Sequence, residues 1–434
     1  MGQTGAVTEP SAAVERFAKI VVVGQGYVGL PLAVRAVEVG FADVVGFEVD
    51  AERARLLNEG TSFIEDVPSA TLAACVAGGR YRASVDPADL ADFDVAVISV
   101  PTPLHEGTPD LRHIESSARA LGPYLRPGAC VVLESTTYPG TTEELVAPLL
   151  EEASGLKAGQ DFHLGYSPER IDPGNTTFTL VNTPKVVSGI DAASLEAVVA
   201  FYGAIVDTVV PVAGPKEAEL TKLLENTFRH VNIALVNELA MFAHDLGIDV
   251  HEAIDAASTK PFGYMRFTPG PGVGGHCLPI DPKYLSWQVQ RALGQTFRFV
   301  ELASDVNDHM PDYVVRRVAA GLNERGLAVK GRRIAVVGFA YKRNTSDARE
   351  TPAREIVAQL QTLGAHVCVV DHHVAERQLP PAVERLAGTA EEMAAVDVAV
   401  LLVDHADTDV AALLAAPYVF DCCKGLEGPN VERL

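Results

Sequence analysis

Two stretches of the chain combine residue types and spacings suited to chemistry. The first is Thr268-Pro269-Gly270-Pro271-Gly272-Val273-Gly274-Gly275-His276-Cys277-Leu278-Pro279-Ile280-Asp281-Pro282. Glycine and proline are too dense there for a helix or a central strand, so the segment must be a shaped loop. Its glycines let the backbone come close to a ligand. Cys277 closes the loop and Asp281 follows four residues on. The thiolate is the reactive form of cysteine, and loop N–H groups or a nearby lysine favour it, so Cys277 is the candidate nucleophile. His276-Cys277 is not read as a metal site, because no further His or Cys stands at ligand spacing; His372-His373 fails for the same reason.

The second stretch is Gly24-Gln25-Gly26-Tyr27-Val28-Gly29. It follows the β-branched run Lys19-Ile20-Val21-Val22-Val23 and precedes a helical stretch, Leu30 to Val39. Gly24 allows a tight turn, Gly26 lets the backbone approach a pyrophosphate, and Gly29 allows close helix–strand packing. The helix N-terminus then offers N–H groups to phosphates, with Tyr27 and Val28 in the same cofactor-binding turn. Glu48 ends the next apolar run, 19 residues after Gly29. A carboxylate there accepts hydrogen bonds from a ribose and repels a 2′-phosphate, which predicts NAD rather than NADP. Arg53 either lies over the adenosine or is a solvated surface arginine.

The elements that must hold these residues form a repeated pattern. Val95–Val100, Cys130–Glu134 and Phe162–Tyr166 read as further buried strands separated by helices, which predicts a parallel sheet. From Pro215 to Leu246, Leu220, Leu223, Leu224, Phe228, Val231, Leu235, Leu239 and Phe242 recur at helical spacing. One helix of that span would be about 48 Å long. It reads as a central helix joining two domains, with an apolar side open to a second subunit; a kinked pair of helices is the alternative. After Gly331 the strand–glycine theme returns in Arg333–Gly338, followed by a helical Thr351–Leu363, a strand His366–Val370 ending in Asp371, and strands Val396–Val403 and Tyr418–Asp421. The fold class predicted is α/β, with two Rossmann-like doubly wound domains joined by a long central helix. The boundaries predicted are a loose tail 1–17, an NAD-binding domain 18–212, a central helical domain 213–315 with the cysteine loop, and a C-terminal Rossmann-like domain 316–434.

Composition limits the partners. The chain has 434 residues, is 48% apolar and 21% charged, and carries a net charge of −22. That is a globular composition, and so acidic a surface suits neither nucleic acid nor anionic membranes. The N-terminal residues lack an apolar signal segment, and no run approaches the ~18–20 apolar residues of a membrane helix. A cytoplasmic location is expected. Six cysteines show no C-x-x-C pair. Cys75, Cys130 and Cys368 sit in apolar or helical surroundings and, with Cys422-Cys423, are read as structural.

Taken together, Gly24-Gln25-Gly26-Tyr27-Val28-Gly29-Leu30-Pro31, Ser167-Pro168-Glu169-Arg170, Lys222-Leu223-Leu224-Glu225-Asn226-Thr227 and Gly274-Gly275-His276-Cys277 resemble the UDP-glucose/GDP-mannose dehydrogenase family. The likeness runs from about residue 18 to the C-terminus. It implies oxidation of the C6 hydroxymethyl group of a nucleotide sugar to a carboxylate, with two NAD consumed per turn, by a homodimer built on the central helix. By resemblance, Cys277 captures the C6 aldehyde as a thiohemiacetal and later carries a thioester. Lys222 and Asn226, i and i+4 on the helix, stabilise the C6 oxyanion. Asp281 supports water and lysine near the thiol, Thr136 orders a catalytic water, and Glu169 assists proton transfer or hydrolysis. Thr102 and Thr136 contact the cofactor. Glu169, Arg170, Lys222, Asn226 and Gly274 line the substrate, and Lys342 and Arg349 hold its diphosphate, so the resemblance assigns the nucleotide sugar to the C-terminal domain 316–434. In such relatives an arginine of this loop often reaches a neighbouring subunit's sugar, and Lys260 and Arg266 are the residues here that stand open for that role.

Glucose-specific members tend to carry a second glutamate four residues after the first, where this chain has Pro173. That departure, with Gly270–His276 and Lys260–Arg266, resembles the UDP-N-acetylhexosamine branch. UDP- or dTDP-glucose, in an antibiotic or polysaccharide pathway, is the alternative substrate. A two-electron hydroxyacid dehydrogenase would not need Cys277, and a silent NAD-binding scaffold would be expected to lose Cys277, Lys222 or Glu169; all three are present.

Overall fold

A computed structural model describes residues 14–105, 107–172, 175, 177–275 and 278–434. Of the expected tail, residues 1–13 lie outside the described residues, and Phe17 is buried in the first core. The chain forms two compact units. The first runs to Glu225 and includes Arg291–Leu293; the second comprises Asn226–Gln290 and Gly294–Leu434.

The first unit contains strands β1 (Lys19–Val23), β2 (Asp43–Phe47), β3 (Tyr81–Ser84) and β4 (Val95–Ile98), a small hairpin of β5 (Leu104–His105) and β6 (Thr108–Pro109), and then β7 (Cys130–Leu133), β8 (His163–Tyr166), β9 (Lys185–Gly189) and β10 (Val209–Pro211). Eight of them form one sheet in the order β10-β9-β8-β7-β4-β1-β2-β3. Strands β1 to β8 of that sheet run parallel, and β9 pairs antiparallel to β8. The central strands are fully buried along their apolar runs, as expected of a sheet covered on both faces. Each fully buried Val, Ile or Leu contributes about 1.5–3 kcal/mol.

The second unit repeats the plan with β11 (Arg333–Val337), β12 (His366–Val370), β13 (Glu384–Arg385), β14 (Val398–Leu401), β15 (Val419–Asp421) and β16 (Val431–Arg433). Its order is β13-β12-β11-β14-β15-β16, all parallel. This is the doubly wound order, with its switch point between β11 and β14. The first sheet has the same switch between β1 and β4.

The central helix is Pro215–Asp245, one continuous element of 31 residues rather than a kinked pair. Pro215 suits its first turn, and Gly247, at φ +69°, lies just beyond its end. Leu223 is buried, while Leu220, Leu224, Phe228, Leu235, Leu239 and Phe242 are exposed. Not anticipated from sequence were β3, β9, β10, β13, β16 and the helices Asp281–Leu293, Arg298–Asp308 and Met310–Glu324. Among the described residues, no helix is long and apolar enough to cross a membrane, and no group of three or more His, Cys, Asp or Glu forms a metal site.

Candidate active site

The first unit gathers its candidates at one sheet edge. Gly24–Gly29, Thr102, Thr136 and Glu169 follow the C-terminal ends of β1, β4, β7 and β8, which are four consecutive strands of the sheet. A doubly wound sheet binds ligands outside those ends. Gly24 sits at φ +89°, and a Cβ there would lie 2.9 Å from the Ser99 carbonyl oxygen. A Cβ on Gly29 would lie 1.9 Å from the Gly24 oxygen, so only glycine permits the helix to start so close. A Cβ on Gly26 would meet nothing within 4 Å, which leaves the space a pyrophosphate needs. The helix Gly29–Glu38 has no side-chain cap and no acid in its first turn, so its N–H groups are not spent on a protein carboxylate. These residues fit a dinucleotide.

Glu48 is buried, and its oxygens accept from the Gln25 N–H at 3.3 Å and the Asp50 N–H at 3.2 Å. Arg53 lies 3.7 Å from Glu48 and stacks 4.3 Å over the Phe63 ring, so it is ordered beside the acid. Tyr27 is exposed, while Thr102 and Thr136 are half-buried.

Glu169 keeps 10% of its side chain exposed. One of its oxygens accepts the Ile171 N–H at 2.5 Å, and the other faces Lys185 Nζ at 3.4 Å. Burial would raise its carboxyl, but Lys185 and then Lys222 outweigh burial and hold it below its ordinary value. Lys222 is itself buried on the central helix. Arg170 is engaged in the protein: it grips Glu225 through two bonds of 2.6 and 3.2 Å and donates to the Pro184 carbonyl at 2.5 Å. The Thr136 loop is tied to the central helix by Glu219, whose carboxylate accepts from the Gly140 and Thr142 N–H groups at 2.6 and 2.9 Å. Burial pushes Glu219 up to about 7.

In the second unit, Asn226 donates to Asp281 at 2.6 Å, one helical turn along from Lys222. Asp281 is buried and opens the helix Asp281–Leu293, with Pro282 behind it. At the loop's other end the Gly270 N–H donates to Asn237 at 2.9 Å. The Gly275 N–H donates to the Glu350 carbonyl at 3.3 Å, and a Cβ on Gly274 would lie 2.7 Å from that same oxygen. The glycine loop therefore packs on the segment carrying Lys342 and Arg349. Lys342 is half-buried; Arg349 is exposed and paired with Asp347 at 2.8 and 2.9 Å. Cys277 and His276 lie outside the described residues. Lys260 stacks 4.9 Å from the Phe262 ring, and Arg266 pairs with Asp255 at 2.9 Å.

The remaining cysteines match their structural reading. Burial raises Cys75 and Cys368, pushes Cys130 and Cys423 up to about 12, and takes Cys422 well above its ordinary value, which removes thiolate character. Sequence reasoning missed Glu134, Lys185 and Glu219. The available signal was charge inside or beside apolar runs, since such residues are buried only when paired.

Comparison with known proteins agrees across the chain. The UDP-glucose/GDP-mannose dehydrogenase family's NAD binding domain matches residues 18–206, its central domain 216–309 and its UDP binding domain 335–427. The UDP-N-acetyl-D-glucosamine 6-dehydrogenase of Pseudomonas aeruginosa is 38% identical over 356 residues, covering 81% of this chain and 82% of its own. The solved UDP-D-ManNAc dehydrogenase of Pyrococcus horikoshii superposes with a TM-score of 0.86 at 31% identity, covering 96% of this chain and 98% of that one. A UDP-glucose dehydrogenase from Pyrobaculum islandicum superposes at 0.85 with 28% identity, covering 96% of each.

Proposed function

The chain belongs to the UDP-glucose/GDP-mannose dehydrogenase family, and from that premise we propose that it oxidises the C6 hydroxymethyl group of a UDP-N-acetylhexosamine to a carboxylate. The observation that carries this reading is the Asn226–Asp281 bond. It fastens the segment just after Cys277 to the central helix one turn from Lys222, and a nucleophile and an oxyanion-stabilising cation are both needed for a four-electron oxidation.

NAD, when bound, accepts the hydride lost from C6 in each of the two oxidations. The chain's residues do the rest. Lys222 and Asn226 stabilise negative charge on the C6 oxygen as its hydroxyl proton passes to the water that Asp281 supports. The Cys277 thiolate adds to the aldehyde carbon, forming a C–S bond and a thiohemiacetal whose oxidation leaves a thioester. Thr136 orients a water, Glu169 takes its proton as it attacks, and the C–S bond breaks to return the thiolate and the uronate. Asp281 supports the water and lysine near the thiol. Lys342 and Arg349 hold the diphosphate, Gly274 lets the loop approach the sugar, and Arg170 braces Glu169's loop beside it. Glu48 and Arg53 take the adenosine end of NAD, and Thr102 contacts the same cofactor. The working parts are then residues 18–212 for NAD, 213–315 for the central helix and thiol, and 316–434 for the nucleotide.

A homodimer is part of this reading, because Leu220, Leu224, Phe228, Leu235, Leu239 and Phe242 make an exposed apolar stripe along the central helix. So is a cytoplasmic location. UDP-glucose is the second substrate reading, favoured by the likeness to the Pyrobaculum islandicum structure.

The test is a substrate panel. With NAD and UDP-N-acetyl-D-mannosamine, UDP-N-acetyl-D-glucosamine, UDP-glucose or dTDP-glucose, mass spectrometry should find an N-acetylated uronate as the preferred product. Preference for glucose would transfer the assignment to the second reading. Cys277→Ser should lose uronate formation while retaining NAD binding, and uronate formation at the wild-type rate would contradict the thioester route.

A further inference from the structure

Two charged residues that no step above uses are buried behind Glu169. Lys185, opening β9, has 4% of its side chain exposed, and Glu134, following β7, has 1%. The two are ion-paired, and the same ammonium faces Glu169 at 3.4 Å. Tyr202, on the helix Ala192–Ile205, donates to the second Glu134 oxygen at 3.3 Å, and its ring lies 5.2 Å from the ammonium. The charged and titratable groups facing Glu169 are thus Lys185 from β9, Glu134 from the end of β7, Tyr202 from its helix and Lys222 from the central helix.

A buried ion pair adds little over apolar residues of similar volume, whereas a lone buried charge is strongly unfavourable. Packing alone therefore does not explain why a lysine occupies this site. Its third partner does. We propose that Lys185 and Glu134 are positioning residues for Glu169: the ammonium aims the Glu169 carboxylate and keeps it ionised, and Glu134 tempers that hold by sharing the ammonium. The split between the two carboxyls agrees. Burial raises Glu134, with Lys185 only partly offsetting it, while Glu169 is held low. The kinetic side of the inference rests on the role given to Glu169 in the proposed reaction; the protonation side does not.

The experiment compares Lys185→Met, Lys185→Arg and Glu134→Gln. Without substrate, infrared titration reads the Glu169 carboxyl as the difference between each variant and the same variant carrying Glu169→Gln. Lys185→Met should move that titration upward by at least about one pH unit. Lys185→Arg should keep it near wild type, and Glu134→Gln should move it downward, because the ammonium then serves Glu169 alone. With NAD and UDP-N-acetyl-D-mannosamine, the acid limb of kcat/KM should shift in the same opposite directions. A merely structural role would lower activity in both variants without opposite shifts. If Lys185→Met does not fold by circular dichroism, the downward shift in Glu134→Gln decides alone. Titrations that stay put, or move together, overturn the inference. Titrations that move as stated in a protein that oxidises no nucleotide sugar uphold the inference and overturn the proposed activity.

Discussion

Glu48 and Asp371 each follow the second strand of their sheet, and each reaches the turn after the first strand. Gly24, Gln25 and Gly26 in the first unit correspond to Gly338, Phe339 and Ala340 in the second. Gly24 and Gly338 share a positive φ, +89° and +83°. From there the two diverge. Glu48 makes one long contact to its turn, 3.3 Å from the Gln25 N–H. Asp371 accepts from Phe339 and Ala340 at 2.7 and 2.9 Å, and His405 contacts the same oxygen at 3.1 Å. Gly26 faces open space, whereas Ala340 is fully buried. The first helix starts at Gly29; its counterpart waits until Pro352, leaving a loop that carries Lys342 and Arg349. One sheet order thus serves two binding strategies. In the proposed reading the first unit offers phosphates a helix N-terminus, whereas the second, whose own acid occupies the corresponding turn, would use the loop cations Lys342 and Arg349 instead.

The comparison can be broken by exchanging losses between the units. The largest expected effect is Asp371→Ala, which strips a buried hydrogen-bonded network and should cost about 3–5 kcal/mol of stability, read by denaturant unfolding. NAD affinity should stay within about twofold, since the cofactor turn is in the other unit. Next, Glu48→Gln should weaken NAD binding by about ten- to a hundredfold in calorimetry, the cost of a charge-assisted hydrogen bond. Its unfolding midpoint should hold. A Glu48 variant that unfolds, or an Asp371 variant that loses NAD, would erase the distinction.

Acid sharpens it further. Burial alone would raise the Asp371 carboxyl, but hydrogen bonds from His405 and the Ala340 and Phe339 N–H groups hold it well below the usual carboxylate range. A depressed carboxyl stabilises the fold fully above its unfolded value, about pH 4, and that stabilisation is lost as pH falls further. Asp371→Asn should flatten the acid slope of stability; an unchanged slope would contradict this. The smallest effect is Arg53→Ala, where loss of the contact with Phe63 and Glu48 should weaken NAD by only a few-fold, about 0.5–1 kcal/mol.

Much of this was legible in the sequence because local pattern decides it. Apolar β-branched runs ending in glycine became β1 and β11, and His366–Val370 appeared with the ends anticipated. The central helix was legible from its long apolar period. The strands of two or three residues, β10, β13 and β16, carry too few side chains to show alternation. The Glu134–Lys185 pair joins residues 51 apart, and the Glu219 tie spans 77 to 79. Spacing rules reach a turn or a strand, not such distances. Residues 268–275 of the glycine loop are irregular backbone as read, whereas Asp281 and Pro282, read into the same loop, open a helix, and the loop's seat against Glu350 depends on tertiary packing alone.

The central claim is a four-electron oxidation carried by Cys277. Its most direct measurement is the amount of NADH formed per UDP-N-acetyl-D-mannosamine or UDP-N-acetyl-D-glucosamine consumed. Two NADH for each sugar, with a uronate product, is the result expected from the cysteine route. One NADH for each sugar, with the aldehyde released, would contradict it.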